Sequence, residues 1–278
     1  MKHPFNLVDV FTSETLNGNP LAVVFGADDL SDEQMQAFAR WINLSETTFL
    51  LRPKSESADY RMRIFTPGGE LPFAGHPTLG TCHAWLEAGG RPQQEGEILQ
   101  ECGVGLVRIR IAGDHLAFAA PPLTSSIVDA ELLRRILKAL HLEPAKVKAS
   151  RWLDNGSQWV GLLLSDVKTV LALEPDHAGL KELVKVGVVA PYPEHSPCAF
   201  EVRGFAAPSG IPEDPVTGSL NAALAQWLIG DGLAPARYTV SQGTRLHRQG
   251  RIHVEKQGDD VWIGGRVITG VRGELALP

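Results

Sequence analysis

Apolar residues open the chain in strand-like runs. FNLVDVF (5–11) and PLAVVF (20–25), parted by the turn residues Asn17, Gly18 and Asn19, predict two strands. The period then changes. Met35, Phe38, Ala39 and Ile42 fall on one helical stripe behind Ser31, and Gln34 three residues on completes a capping box, so a helix is expected from Ser31 to near Asn43. TTFLL (47–51) and YRMRIF (60–65) read as strands again, and TPGGELPFAG (66–75), with two Pro and three Gly, reads as loop. A second helix is expected from about Pro77 to Gly89, because Pro is favoured in a first helical turn and Gly just past a last one. It carries few charges, the pattern of a helix buried on most sides. Strands are expected near 97–111 and 115–120.

The second half follows a similar plan. Asp129 should cap a helix whose stripe is Leu132, Leu133, Ile136, Leu137 and Leu140. Strands are expected near 147–153 and 159–165, a short helix near 176–186, and strands near 187–191 and 198–205. AAPSGIPED (206–214) matches the earlier Gly/Pro loop, and a nearly uncharged helix is expected from Pro215 to Ile229. Strands near 237–242, 251–256 and 260–268 close the chain. The two halves also agree in letters. HPTLGT (76–81) matches DPVTGS (214–219), and NGNPLAVVF (17–25) matches NGSQWVGLLL (155–164), each at an offset of 138 residues. One offset for two stretches argues for a duplicated domain, with boundaries near 1–122 and 123–278 and the last strand able to pack on the first domain. A helix apolar all round must be enclosed. The expected fold is therefore α+β: two pseudo-symmetric domains, each a barrel-like curved sheet around a central buried helix.

Composition narrows the partners. At 278 residues, 44% hydrophobic and 21% charged, the chain can bury a full core. A net charge of −6 without a Lys/Arg run argues against nucleic acid. No apolar stretch is long enough for a membrane span and no signal peptide is visible, so a cytoplasmic protein is expected. Cys82, Cys102 and Cys198, odd in number and widely spaced, suit neither a disulfide framework nor a zinc site. No strand is followed by GxGxxG, and GxxxxGK[ST] is absent, so neither nucleotide fingerprint is present. No cofactor or metal is expected.

The candidate chemistry lies at the duplicated turns. Two buried helices would aim their N-termini at one cleft and offer unpaired N–H groups to an anion, most simply a substrate carboxylate. His76 stands between Gly75 and Pro77, as a helix cap or as a donor and acceptor for a ligand. Asp214 occupies the matching place, as an N-cap or a ligand contact, with Glu213 beside it on the rim. Glu46 sits between a helix end and a strand, as a solvated loop carboxylate or as a partly buried general acid and base. Thr217, Gly218 and Ser219 form the first turn of the second buried helix, where Gly218 permits close backbone approach. His3, His115, His141, His177, His195, His247 and His253 show no ligand spacing and read as surface.

NGNPLAVVF (17–25), NLSETTF (43–49), IFTPGGELPFAGHPTLGT (64–81) and GIPEDPVTGSL (210–220), in this order across both halves, resemble the phenazine-biosynthesis PhzF-like isomerase family. The resemblance implies a diaminopimelate epimerase-like fold, a homodimer, and a cofactor-independent isomerase moving a proton within a small carboxylate-bearing substrate. By the same resemblance Glu46 shuttles the proton, His76 and Asp214 position the substrate, and Asn19, Ser45, Gly75, Thr217, Gly218 and Ser219 bind it. The two-thiol racemases of this fold place a Cys at each turn. Here those places hold Ala74 and Asp214. A two-base epimerase or racemase of an amino or hydroxy acid, and a catalytically silent small-molecule binding protein, stand as alternatives.

Overall fold

The computed structural model describes residues 2–277. It divides into two compact units: Met1–Ala119 with Gly264–Pro278, and Ala120–Ile263. Each combines helices with a mixed sheet.

In the first unit β1 (Lys2–Val10) pairs antiparallel with β2 (Asn19–Val24). β2 runs parallel to β3 (Thr47–Leu51), which requires a crossover, and α1 (Asp32–Ile42) provides it. The capping box expected at Ser31 is present in full, and Asn43 closes the helix in the left-handed region at φ 55°. β4 (Tyr60–Thr66) pairs antiparallel with β3, and the short β5 (Gly69–Leu71) folds back on the end of β4. α2 (Gly75–Glu87) is the second crossover and leads to β6 (Glu97–Cys102), parallel to β4. β7 (Gly105–Ala112) and β8 (His115–Ala119) follow as a meander. The strand Val267–Ala276 returns from the far end of the chain and pairs antiparallel with β1 along its length.

In the second unit β9 (Thr124–Ser126) pairs with β10 (Val147–Asp154) after α3 (Ala130–Ala139), which Asp129 caps as expected. β10 pairs antiparallel with β11 (Gln158–Leu164). α4 (Val167–Ala172) and α5 (His177–Lys181) lie on the crossover to β12 (Val186–Pro191), parallel to β11. β13 (Phe200–Ala206) pairs antiparallel with β12 and with β14 (Ile211–Asp214). α6 (Gly218–Gly230) crosses over to β15 (Arg237–Gln242), parallel to β13, and β16 (Gly250–Gln257) pairs back on β15.

Both uncharged helices are enclosed, but each starts elsewhere than its proline suggested. α2 begins at Gly75 with Ala74 as N-cap, two residues before Pro77. α6 begins at Gly218 with Thr217 as N-cap, three residues after Pro215. Pro215 instead belongs to a bend between β14 and the helix. His76 is therefore the second residue of a helix, whereas Asp214 ends a strand. The two do not occupy matching positions, and Asp214 caps no helix. α4, capped by Asp166 but only six residues long, is too short to show a helical period and is not expected from the sequence, and the Gly/Pro loops each hide a short strand.

α2 is packed against β1, β2, β3, β8 and the strand Val267–Ala276, and every residue from Gly75 to Cys82 is buried. Gly80 makes the closest fit. A Cβ there would lie 2.5 Å from Leu21 Cδ2, 2.9 Å from Val10 Cγ2 and 3.0 Å from Val8 Cγ2. Glycine to alanine inside a helix ordinarily gains about 1 kcal/mol. Overpacking a closed core costs about 1–3 kcal/mol and should win here. Gly80→Ala is expected to lower the urea midpoint without changing the far-ultraviolet circular dichroism.

Candidate active site

Within the first unit the fold brings together Asn19, Glu46 and His76. The buried carboxylate of Asp9 accepts the backbone N–H groups of Asn17 and Gly18 at 3.0 and 3.1 Å, which sets the turn entering β2 and places Asn19. Asn43 turns the chain sharply at the end of α1, and Leu44 and Ser45, both half-buried, lead to Glu46 just before β3. Thr48 then ties that strand in place. Its hydroxyl donates to the carbonyl of Ala22 at 3.3 Å and accepts from Thr81 of α2 at 2.8 Å.

Glu46 Oε2 comes within 3.5 Å of His76 Nδ1, with side-chain exposures of 15% and 4%. Glu46 is thus a partly buried carboxyl and not a solvated loop group. Asn19 Nδ2 is also 3.5 Å from the same Nδ1. An imidazole nitrogen facing both an amide donor and a carboxyl can accept or donate, so the pair can hold a proton in either of two places. Gly75 and His76 open α2, and the next residue is Pro77, which has no N–H. The backbone N–H groups of Gly75 and His76 thus stand at the N-terminal end of the helix.

The second unit gathers Asp214, Thr217, Gly218 and Ser219. Asp214 is 8% exposed, and its Oδ2 accepts the Thr217 hydroxyl at 2.6 Å. Thr217, Asn221 and Gln242 are all buried beneath it, and Asn155 donates to the Ser219 carbonyl at 2.9 Å. Gln242 had no signal in the sequence, and Asn155 had only its place at the start of the repeated stretch 155–164.

Two further readings need correction. Glu213 is no rim carboxylate: its side chain is 8% exposed and meets Arg203, itself 4% exposed, through two bonds of 2.8 and 2.9 Å. Arg203 also donates to the carbonyls of Val170 and Leu173 and lies over the Phe205 ring at 5.0 Å. This clamp fixes β14, and with it Asp214. His3 is also not on the surface. It is 4% exposed, with Nδ1 at 3.3 Å from the Phe25 carbonyl oxygen.

The model of the phenazine biosynthesis-like (PhzC-PhzF) family matches residues 8–273. The chain belongs to this family. It is similar to trans-2,3-dihydro-3-hydroxyanthranilate isomerase of Pseudomonas aeruginosa, at 35% identity over 96% of this chain and 95% of that protein. It is also similar to antisense-enhancing sequence 1 of Schizosaccharomyces pombe, at 35% identity over 98% of both chains. Among solved structures, the Bacillus anthracis phenazine biosynthesis protein of the PhzF family superposes with a TM-score of 0.87 at 23% identity over the whole of both chains. Several relatives are named isomerases, and this PhzF-family chain is an enzyme of isomerase type. Among the described residues no helix is long and apolar enough to cross a membrane.

Burial pushes the Cys82 thiol of this PhzF-family chain up to about 12, which makes it a poor nucleophile and a poor base. Iodoacetamide at mildly alkaline pH should leave the Cys82 peptide unmodified in the native protein and label it fully in denaturant, read by mass spectrometry. The Arg203 clamp gives a second test. Removing one partner of a buried ion pair costs about 3–5 kcal/mol. Glu213→Ala should therefore remove a large share of a total stability of about 5–15 kcal/mol, seen as a lower urea midpoint.

Proposed function

We propose that this protein is a cofactor-independent isomerase that moves a proton within a small carboxylate-bearing substrate. Glu46 takes the proton from a carbon acidified by a neighbouring π system and returns it at another carbon. His76 and Asp214 orient the substrate through hydrogen bonds. The N–H groups opening α2 and α6, with Gly75, Gly218 and the Ser219 hydroxyl, take its carboxylate, while Asn19, Ser45 and Thr217 complete the contacts. The two units are read as diverged copies of one ancestral domain, in the manner of diaminopimelate epimerase, and the protein as a homodimer.

The observation that carries this reading is the half-buried Glu46 carboxyl beside the buried His76 Nδ1 at 3.5 Å. Such a carboxyl can exist in both protonation states, as a group that removes and returns one proton must. The 35% identical relative named for isomerising trans-2,3-dihydro-3-hydroxyanthranilate makes that compound the first substrate to try. Two-thiol racemisation is disfavoured by Ala74 at the start of α2 and by the inert, buried Cys82.

A positioned general base contributes about 10² to 10⁴ in rate. Glu46→Gln should lower turnover of trans-2,3-dihydro-3-hydroxyanthranilate by that factor in a deuterium-oxide assay, with unfolding unchanged. A rate near that of the wild type would remove Glu46 from the mechanism. Failure of the wild type to convert the compound would shift the proposal to another substrate.

A further inference from the structure

Gln242, the last residue of β15, is fully buried 28 positions beyond Asp214 in the sequence. All four of its hydrogen-bonding capacities are used. Its Oε1 accepts the backbone N–H of Thr217 at 3.1 Å and the side-chain amide of Asn221 at 2.7 Å. Its Nε2 donates to the backbone carbonyl of Asp214 at 3.1 Å and to Thr217 Oγ1 at 2.9 Å. A backbone N–H can only donate and a carbonyl can only accept, so these two partners fix which end of the Gln242 amide is oxygen. The Thr217 hydroxyl therefore receives a hydrogen bond from Gln242 and has a single proton of its own to give. That proton goes to Asp214 Oδ2 at 2.6 Å, the length of a hydroxyl bound to a charged oxygen.

We infer that Gln242 is a positioning residue: by setting the direction of the Thr217 hydroxyl it commits Oδ2 of Asp214 to accepting and fixes the plane in which that carboxylate meets its ligand. The inference rests on the reading of Asp214 as a substrate-orienting group. Asn221 belongs to the same device, since its amide donates to both the Thr217 carbonyl at 2.9 Å and Gln242 Oε1. Without Gln242, Thr217 could turn its proton elsewhere and Asp214 would lose its constraint.

The test uses Gln242→Glu in the full chain. This variant keeps the shape and the Oε1 acceptor but has no N–H to give Thr217, and its second oxygen competes with Asp214 for the hydroxyl proton. In the ligand-free crystal structure the Thr217–Asp214 bond should open and the Asp214 carboxylate should rotate. An unchanged bond and rotamer overturn the inference. With trans-2,3-dihydro-3-hydroxyanthranilate, kcat/KM should fall by about tenfold, the effect expected from one lost charge-assisted hydrogen bond. The loss should vanish in an Asp214→Asn background, because Gln242 acts only through Asp214, whereas a generally structural role would give an additive loss and overturn the inference. Gln242→Met, which also lacks the N–H given to Thr217, should reproduce the same non-additive loss if Gln242→Glu folds poorly. Full turnover by Asp214→Asn would instead defeat the reading of Asp214, and the ligand-free structure would still decide the role of Gln242. That structure also decides it if the wild type does not convert the compound.

Discussion

Two helices almost without charge impose the main constraint on this protein. A helix with no wet face must be surrounded, and strands are what surround α2 and α6. Enclosure obliges the buried polar side chains of each helix, several of them near its start, to find partners. Both units meet this demand with a buried glutamine on a neighbouring strand. Gln100 accepts from the Tyr60 hydroxyl at 2.9 Å and donates to Thr78 at 3.2 Å, while Gln242 serves Thr217 and Asn221. Of the chemistry-bearing side chains, His76 lies in the first turn of α2, Glu46 stands just before β3, and Asp214 ends β14 four residues before α6.

Much of this was legible in the order of residues. The capping box at Ser31, the Asp129 cap and the two uncharged helices follow from local rules; both caps stand where expected, and both helices are present with shifted starts. Glu46 and His76 were legible because each stands where chain direction changes beside an apolar segment. The starts of α2 and α6 are misplaced because each proline is given the first helical position. Pro77 lies at the third helical residue and Pro215 outside the helix altogether. Local propensity cannot distinguish these cases; packing of the preceding strand decides them.

What stayed hidden is side-chain pairing across hairpins. Glu213 reads as a surface carboxylate until Arg203 is placed across from it. The first unit carries a similar arrangement in a wetter setting: Arg63 on β4 binds Glu70 on β5 through two bonds of 2.7 Å and lies over the Phe65 ring at 5.0 Å. Each short strand before a buried helix is thus held to its neighbour by an arginine that also covers an aromatic ring. The neighbouring acids raise the Arg63 pKa further, so its charge is permanent. None of these partners could be matched from spacing alone, because their separation is set by the hairpin between them.

The strand Val267–Ala276 has a consequence for biogenesis. It is the partner of β1, so the outermost ladder of the first unit joins segments some 260 positions apart in the chain. The second unit, Ala120–Ile263, is by contrast contiguous and has its own core. A nascent chain leaving the ribosome therefore carries β1 with one edge unsatisfied until Val267–Ala276 emerges. Exposed strand edges invite pairing with other chains. During synthesis the unit begun first is thus sealed after the second, and β1 stays vulnerable until Val267–Ala276 has been made.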